Sequence, residues 1–396
     1  MKHSTLLAER HLKGISRFSP GIFGTIRNMP QKTDVFVIGG GPAGLAAAIA
    51  ARKHGFDVIV ADGNKPPIDK PCGEGLMPDS IAALRQLGVD HQAADGFPYR
   101  GFRFVDGTTS VTAKLPGSTH GIGIRRTILH ERMMTSAAAA GVDFRWQSPV
   151  TGIQPEGVKL ASGEVIAARW VIGADGSRSR VRQWIGMNQP AREHLRFASR
   201  GHYHIAPWSD CVEIYWSDNA QAYVTPVAND EVCVVLVSGV PGFRHSLANF
   251  PELQRRLNPQ RCLRPERGAV TITHRLKHVY RGNIALIGDA SGGVDAITGE
   301  GLALSFHQAI ALATSMANDN LADYQLIHRR LARRPTFMAR LLLLLDGRPR
   351  LRRRTIRALA ANPELFARFT AIHLGETSPA HFAATGAMLG WRLLEA

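Results

Sequence analysis

A glycine-rich turn between an apolar strand and a helix constrains this chain more than any other feature of its sequence. The apolar run 34–38 leads into the sequence GGGPAG at 39–44, and a helix rich in small residues follows. A second apolar run, 57–62, ends in Asp62. This alternation predicts a βαβ unit, from which doubly wound parallel sheets are built.

Three glycines in the turn, Gly39, Gly41 and Gly44, have the spacing of a dinucleotide-binding loop. The first permits the tight turn, the second lets the backbone approach a pyrophosphate, and the third lets the helix pack closely on the strand. The helix N-terminus adds unpaired N–H groups and a positive dipole end. Asp62 can accept hydrogen bonds from ribose hydroxyls and would repel a 2′-phosphate. The turn therefore predicts FAD or NAD rather than NADP.

Two further glycine and aspartate motifs follow apolar runs downstream. Asp175 and Gly176 form a turn in the sequence VIGADGSRSRVR, which begins at residue 171. Asp289 follows Gly288 at the end of an apolar run, where a carboxylate needs hydroxyl or N–H partners such as a ribityl chain would offer. The segment 298–301, TGEG, opens a helix whose N-terminus can stabilise negative charge on a reduced flavin ring.

These motifs, with Arg126 at the start of a helix between them, resemble the FAD-dependent superfamily of para-hydroxybenzoate hydroxylase-type monooxygenases, geranylgeranyl reductases and flavin halogenases. The resemblance covers residues 33–330. It implies that FAD is the cofactor, and the positions it assigns to FAD binding are Gly39, Gly41, Gly44, Asp62, Arg126, Asp175, Gly176, Gly288, Asp289, Gly299 and Gly301.

Within that superfamily the chain is more similar to the geranylgeranyl reductases. The segment GDASGGVDAITGEG at 288–301, the loop KPCGEG at 70–75 and the stretch AYVTP at 222–226 resemble that branch, although the tryptophan of its YxWxFP stretch is absent. Hydroxylases of this type usually have GDAAH followed by a Pro-rich turn, where this chain has Gly292 and Ala296. The halogenase pattern WxWxIP is absent as well.

Five residues are candidates for chemistry or substrate contact. Cys72, beside Lys70 in a glycine-rich loop, is a candidate proton donor or gate, although a small buried role is the ordinary one for cysteine. Glu74 and Glu300 are candidate acids near the flavin ring. Tyr223 and Pro226 are candidate substrate contacts on a strand, with a core position as the alternative. The four cysteines show no metal-ligand spacing, so no metal site is predicted.

The predicted fold is α/β, with a doubly wound FAD-binding domain of the glutathione reductase and para-hydroxybenzoate hydroxylase type, an inserted mixed β-sheet substrate domain and a helical C-terminal tail. We assign the FAD domain to three separate segments, and the sheet domain to two. The predicted boundaries are 1–32 for a basic N-terminal extension, 33–90, 120–190 and 276–325 for the FAD domain, 91–119 and 191–275 for the sheet domain, and 326–396 for the basic helical region.

The predicted function is an FAD-dependent oxidoreductase that acts on a hydrophobic substrate, such as an isoprenoid, lipid or polyketide, by hydride transfer through flavin N5. One alternative is an FAD-dependent aromatic hydroxylase that uses NAD(P)H, and a second is a non-catalytic binding protein on a flavoprotein fold. Only one GxGxxG turn is present, so NAD(P)H is expected to bind transiently as electron donor. The cysteine spacing indicates no disulfide framework, which favours a protein of the reducing cytoplasm.

Positive charge is concentrated near the C-terminus. The formal net charge is +16, and residues 328–357 contain eleven arginines and one acid, around the five-leucine run 341–345. A basic helix with an apolar face can lie on an anionic membrane, which would make the protein peripheral; a solvated helical face is the alternative. Nucleic acid is disfavoured because no stacking-aromatic module accompanies the charge. The basic segment 1–28 is consistent with an N-terminal arm or with a start at Met29.

Overall fold

The computed structural model describes residues 31–90, 92–187, 194–218, 220–257, 262, 267–375, 385–386 and 388–390. The N-terminal segment and the alternative start at Met29 lie outside the described residues. The first elements are β1 (Lys32–Ile38), α1 (Pro42–Lys53), β2 (Val58–Asp62), β3 (Gly75–Leu76), α2 (Pro78–Leu87), β4 (Gly96–Tyr99), β5 (Gly101–Asp106), β6 (Thr109–Lys114), β7 (Gly121–Ile124), α3 (Arg126–Ala139), β8 (Asp143–Trp146), β9 (Val150–Gln154), β10 (Gly157–Leu160), β11 (Val165–Gly173) and α4 (Arg180–Trp184).

The second half of the chain supplies the long antiparallel strands and the C-terminal helices. Its elements are β12 (His194–His204), β13 (Cys211–Trp216), β14 (Ala220–Ala228), β15 (Glu231–Ser238), α5 (Phe243–Leu247), α6 (Pro251–Arg256), β16 (Arg267–Arg275), β17 (Tyr280–Arg281), β18 (Ile284–Leu286), β19 (Gly292–Gly293), α7 (Gly301–Ala317), α8 (Leu321–Leu331), α9 (Arg333–Asp346), α10 (Pro349–Ala361) and α11 (Pro363–Leu374).

The first sheet carries the βαβ unit at its centre. Its strand order is β17-β18-β11-β1-β2-β8, and the four pairings from β18 to β8 are parallel. The side chains of Val35, Phe36 and Val37 are all inaccessible to solvent, as a parallel strand covered on both faces requires. On one face α1 packs with α7, α3 and α2 around Leu45 and Phe306. The doubly wound architecture predicted from the sequence is confirmed.

The second sheet is mixed and lies over the first. Its strand order is β19-β16-β12-β15-β14-β13-β5-β6; β13 and β5 pair in parallel, while the other pairs are antiparallel. One face of this sheet is covered by α5 and α6 through an apolar cluster that includes Phe243 and Leu253. The other face lies toward the first sheet, so the two sheets enclose a cavity between them.

The C-terminal helices α10 and α11 pack on the β5–β6 end of the second sheet. Phe366 of α11 meets Phe104 of β5 with ring centroids 4.7 Å apart, and Ile356 and Leu359 of α10 are buried in the same cluster. The helical C-terminal region is thus part of the fold and closes one end of the space between the sheets. Among the described residues, no helix combines the length and the apolar composition needed to cross a bilayer.

Candidate active site

The glycine turn after β1 has the geometry that its sequence predicts. Gly39 has a φ of +110°, and a Cβ there would lie 2.5 Å from the carbonyl oxygen of Ala174. A Cβ at Gly44 would lie 1.8 Å from the carbonyl oxygen of Gly39. A Cβ at Gly41 would meet no atom within 4 Å, and this residue lines the large cavity. Gly39 and Gly44 therefore serve close packing, whereas Gly41 leaves the backbone open to a ligand.

Asp62 ends β2 beside this turn and organises it. Its Oδ2 accepts a hydrogen bond from the backbone N–H of Gly40 at 2.8 Å, and its Oδ1 accepts from the backbone and side chain of Asn64, both at 2.8 Å. Asp62 lines the cavity, and each carboxylate oxygen can accept more than one hydrogen bond. The carboxylate is thus held in place and can still receive a ribose hydroxyl.

Four residues of the cavity wall have a buried polar atom without a hydrogen-bond partner among the described residues, and two of them, Arg126 with Nε and Asp175 with Oδ1, belong to the predicted FAD site. Asp175 is oriented by Oδ2, which accepts from the backbone N–H groups of Arg180 and Val181 at 2.7 and 3.1 Å. An unpaired donor and acceptor in one wall are what a bound polar cofactor would satisfy. Arg126, Asp175 and the neighbouring Gly176 line the same cavity as the glycine turn.

The motif after β18 reaches the same cavity. Gly288 has a φ of +56° and its N–H donates to Gln308 Oε1 at 2.8 Å. Asp289 forms an ion pair with Lys70 at 3.0 Å, and both side chains are nearly half exposed, so the pair is weakly held and can rearrange around a ligand. Gly299, with a φ of +68°, and Gly301 also line the cavity.

His130 of α3 also supports the glycine turn, a role that no sequence motif predicted. Its Nε2 lies 2.8 Å from the carbonyl oxygen of Gly40, so Nε2 donates the hydrogen bond. Burial lowers the pKa of His130 below its usual range, although the hydrogen bond to Gly40 opposes this. Trp146 covers the same glycine, because a Cβ at Gly40 would lie 2.3 Å from its ring.

The loop that carries Cys72 is held by a buried arginine. Arg200 of β12 is 4% exposed and binds both carboxylate oxygens of Asp69 at 2.9 Å. The same guanidinium donates to Glu74 Oε1 at 3.1 Å. Burial alone would raise the pKa of Asp69, but the hydrogen bonds and charge of Arg200 outweigh it and lower that pKa. Arg200 therefore anchors both ends of the Cys72 loop to the second sheet.

Glu74 is buried and fully engaged. Its Oε1 also accepts from the backbone N–H of Arg126 at 3.0 Å, and its Oε2 lies 2.7 Å from His202 Nε2. Its φ of +58° is in the left-handed region, which a non-glycine residue adopts at a cost of about 1–3 kcal/mol and which recurs at functional sites. Glu74, His202 and Cys233 lie close enough together to resemble a set of metal ligands. The positive charge of Arg200 beside Glu74 disfavours a metal ion there. Glu74 therefore positions the loop.

Glu300 lies next to the cavity wall, but its carboxylate contacts the C-terminal helices. Oε1 accepts from Arg334 of α9 at 3.1 Å, and Oε2 lies 3.7 Å from His373 Nδ1 of α11. Burial raises the pKa of Glu300 to about 7, against the opposing charge of Arg334. Burial and Arg334 lower the pKa of His373 to about 4. The predicted role of Glu300 as an acid beside the ring finds no support in this position.

The two predicted substrate contacts on β14 face opposite sides of the second sheet. Tyr223 lines the cavity and donates its hydroxyl to Gln221 Oε1 at 2.8 Å. Pro226 lies on the other face with Trp208 and Cys211. Side chains three residues apart on a strand point in opposite directions, so the prediction of a substrate contact is wrong for Pro226. Cys72, by contrast, lines the cavity.

A single continuous cavity of about 1410 Å³ joins the glycine turn to the C-terminal helices. Small-molecule sites commonly have volumes of about 300–1,000 Å³, so this one has room for a dinucleotide and a second molecule. Its far end is apolar and lies between the second sheet and α9 to α11. The apolar wall there includes Phe102, Phe104, Val212, Ile214, Trp216, Leu341, Leu342, Leu345, Leu351, Leu359, Phe366 and Phe369.

A dinucleotide turn, the unpaired polar atoms of Arg126 and Asp175 in the same cavity, and an adjoining apolar chamber are what a flavin-dependent oxidoreductase requires. Residues 32–329 match the family model described as FAD binding domain, and the chain belongs to that family. When FAD is bound, it supplies a ring that accepts and returns a hydride. The residues that would hold it are Gly41, Asp62, Arg126, Asp175 and Asp289, as the geometry above indicates.

Known proteins similar to this chain are flavoprotein enzymes. Menaquinone reductase of Mycobacterium tuberculosis (strain ATCC 25618 / H37Rv) is 29% identical over 310 residues, which are 69% of this chain and 74% of that protein. Digeranylgeranylglycerophospholipid reductase 1 of Methanothermobacter thermautotrophicus is 29% identical over 329 residues, covering 76% and 81%. The crystal structure of a flavoprotein/dehydrogenase from Cytophaga hutchinsonii aligns with a TM-score of 0.74 at 20% identity, covering 87% and 93%.

These comparisons confirm the predicted FAD-dependent oxidoreductase and favour an enzyme over the non-catalytic binding protein. The aromatic-hydroxylase alternative also fits the family, because its members include monooxygenases as well as reductases.

Proposed function

We propose that this protein transfers hydride between FAD and a long apolar substrate of the isoprenoid or lipid class. The observation that carries the proposal is the apolar chamber, which continues from the flavin-binding wall to the C-terminal helices. An extended hydrocarbon chain gains about 25 cal/mol for each Å² of apolar surface that it buries. A chamber of this length and lining suits such a chain better than a compact aromatic acid, which would need charged partners.

The relatives support the same substrate class. The two reductases similar over most of their length have names that specify a menaquinone and a digeranylgeranyl phospholipid, and both names describe reduction of a molecule with isoprenoid chains. We therefore place the reacting group of the substrate at the flavin end, beside Cys72, and its hydrocarbon chain toward Phe366.

Cys72 is the proposed proton donor or gate at the flavin end. It lines the cavity, and its sulfur accepts from the backbone N–H of Glu74 at 3.4 Å. Because Arg200 and Glu74 fix the loop, the thiol is held in one place. The variant Cys72→Ala is expected to bind FAD and substrate normally and to lower kcat, whereas Cys211→Ala, on the other face of the sheet, should leave kcat unchanged.

NAD(P)H is the proposed transient electron donor. The support is the single glycine turn in the sequence and the presence of Arg178 and Arg180 in the cavity wall beside Asp175, where cationic side chains can meet phosphates. Stopped-flow reduction of the bound flavin by NADH and by NADPH tests this directly. Failure of both donors would assign the electrons to another reductase.

The experiment that tests the function combines ligand identification with turnover. Mass spectrometry of the purified protein should detect FAD together with a lipid-soluble molecule. Anaerobic enzyme, reduced first, should then be reoxidised by a polyprenyl quinone or a geranylgeranyl lipid. Oxygen-dependent hydroxylation of an aromatic compound would instead support the hydroxylase alternative.

A further inference from the structure

Exposed side chains of α8 and α9 form a stripe of alternating arginines and large apolar residues. Leu326, Arg330, Arg333, Phe337, Arg340 and Leu344 are all exposed and follow one another at spacings of four and three residues. Such spacing places them on one helical face, because α8 and α9 are separated only by Ala332, which itself has helical φ and ψ. We call these six residues the basic stripe.

Several other residues of the arginine- and leucine-rich region are turned inward, although six further arginines are exposed, namely Arg329, Arg348, Arg350, Arg353, Arg354 and Arg357. Arg352 is inaccessible to solvent and binds Asp106 and Asp218 at 2.8 and 2.7 Å. Arg334 is committed to Glu300, and Leu342 lines the apolar chamber. The exposed large apolar side chains of this region, Leu326, Phe337 and Leu344, therefore lie on the basic stripe, where they alternate with three of its exposed arginines.

Exposure of large apolar side chains among arginines is unusual for a solvated helix. Leu326, Phe337 and Leu344 are 60%, 45% and 41% exposed. A solvated face would carry acids among the arginines, but residues 326–344 contain no acid. The exposed Asp323 lies one turn before the stripe, and Asp346, after it, is bound inward to Arg196 at 3.3 Å. Cationic and apolar side chains on one face are the pattern of a helix lying in the interface of an anionic bilayer.

The stripe also adjoins the opening of the apolar chamber. Leu344 is exposed and at the same time belongs to the cavity wall, together with its helix neighbours Leu341 and Leu345. A lipid-soluble substrate dissolved in a bilayer would meet this opening without crossing water. The apolar opening at Leu344 favours a membrane over a nucleic acid, because a phosphate backbone offers Leu326, Phe337 and Leu344 no apolar surface.

We propose that the basic stripe docks this protein on an anionic lipid bilayer, with the mouth of the chamber facing the membrane. The proposal rests on the proposed function only for the identity of what enters the chamber; docking itself requires the stripe alone. Each arginine near an anionic surface contributes about 1 kcal/mol to binding, so the loss of three should weaken binding roughly 100-fold.

The test is vesicle binding by the full-length FAD-loaded protein, measured by co-sedimentation without substrate. Vesicles of phosphatidylglycerol mixed with phosphatidylcholine should bind the protein, more weakly as salt rises, and pure phosphatidylcholine should bind it poorly. The triple variant R330Q/R333Q/R340Q should lose roughly 100-fold in affinity for anionic vesicles. The matched control R85Q/R244Q/R255Q removes three exposed arginines from α2, α5 and α6 and should bind as wild type does.

A second variant, F337Q, keeps every charge and should weaken vesicle binding to a similar extent at low and high salt. Both stripe variants should turn over detergent-dispersed substrate at the wild-type rate, so a failed reaction and a failed docking face give different results. Equal binding to neutral and anionic vesicles, equal loss in the control variant, or a wild-type dimer that F337Q dissociates would each overturn the proposal.

Discussion

The same added methyl group should have different effects on apoprotein stability at two glycines of the FAD turn. Gly41 has φ −71° and ψ 176°, which alanine adopts without strain, and a Cβ there meets no protein atom within 4 Å. The free energy of unfolding of the Gly41→Ala apoprotein should therefore lie within about 0.5 kcal/mol of the wild-type value. A Cβ at Gly44 would lie 1.8 Å from a carbonyl oxygen, and such overpacking should cost about 1–3 kcal/mol or more.

Added FAD should reveal a cost of Gly41→Ala that the apoprotein does not show. The methyl group of Gly41→Ala enters the cavity where the pyrophosphate approaches the backbone. Loss of one charge-assisted hydrogen bond costs about 1.5–3 kcal/mol, which raises the Kd for FAD about 10- to 100-fold. Wild-type protein with FAD at 100 times its Kd should gain about 2.7 kcal/mol of stability, and Gly41→Ala at the same FAD concentration should gain only about 0.4–1.4 kcal/mol.

The assay is thermal or denaturant unfolding of each apoprotein with and without added FAD, together with the flavin content of the purified variants. Wild-type FAD affinity in Gly41→Ala, or an undiminished apoprotein stability in Gly44→Ala, would refute the assignment of these roles.

Three further perturbations test other parts of the molecule. Arg200→Met leaves Asp69 with Arg267 alone and Glu74 with His202 and one backbone N–H. Loss of the buried cation should destabilise the fold by about 3 kcal/mol, with faster alkylation of the loop thiol by a maleimide; unchanged stability and alkylation would contradict the anchoring role. The raised pKa of Glu300 means that the folded state favours its protonated form, so this residue contributes stability that is complete below its usual pKa of 4.5 and is lost as pH rises through about 7. The difference in unfolding free energy between wild type and Glu300→Gln should thus change by about 3 kcal/mol between pH 4 and pH 8, and a constant difference would refute the shift. Leu342→Trp fills the apolar chamber and should raise KM for long-chain substrates while flavin content stays constant; an unaltered KM would remove the chamber from the substrate path.

Much of the FAD half of the site could be predicted because its residues lie close together in sequence. The turn, the helix start and Asp62 belong to one βαβ unit, whose local geometry dictates the glycines. The anchoring of the Cys72 loop could not be predicted in this way, since Arg200 lies about 130 positions from Asp69 and Glu74 and the partners meet only after the two sheets pack.

A signal for that second cluster was present in β12. Arg196, Arg200 and His202 share one face of a strand whose neighbours are mostly apolar. Charged side chains on a buried sheet face require partners, so their spacing indicates a polar cluster without naming it. The sequence gives no comparable indication of which way the leucines at 341–345 face, because either face of a helix can carry apolar residues. Most of these leucines line the chamber, and Leu344 lies at its opening.

The proposed function depends on hydride transfer from reduced FAD to an apolar substrate in the chamber. The most direct measurement is anaerobic stopped-flow spectroscopy of the reduced holoenzyme mixed with a polyprenyl quinone or a geranylgeranyl lipid, with product analysis by mass spectrometry. We expect the flavin to be reoxidised at a rate that rises with substrate concentration, and the product to be two hydrogens heavier than the substrate. Flavin that is reoxidised by oxygen alone, with an oxygen atom inserted into an aromatic product, would contradict it.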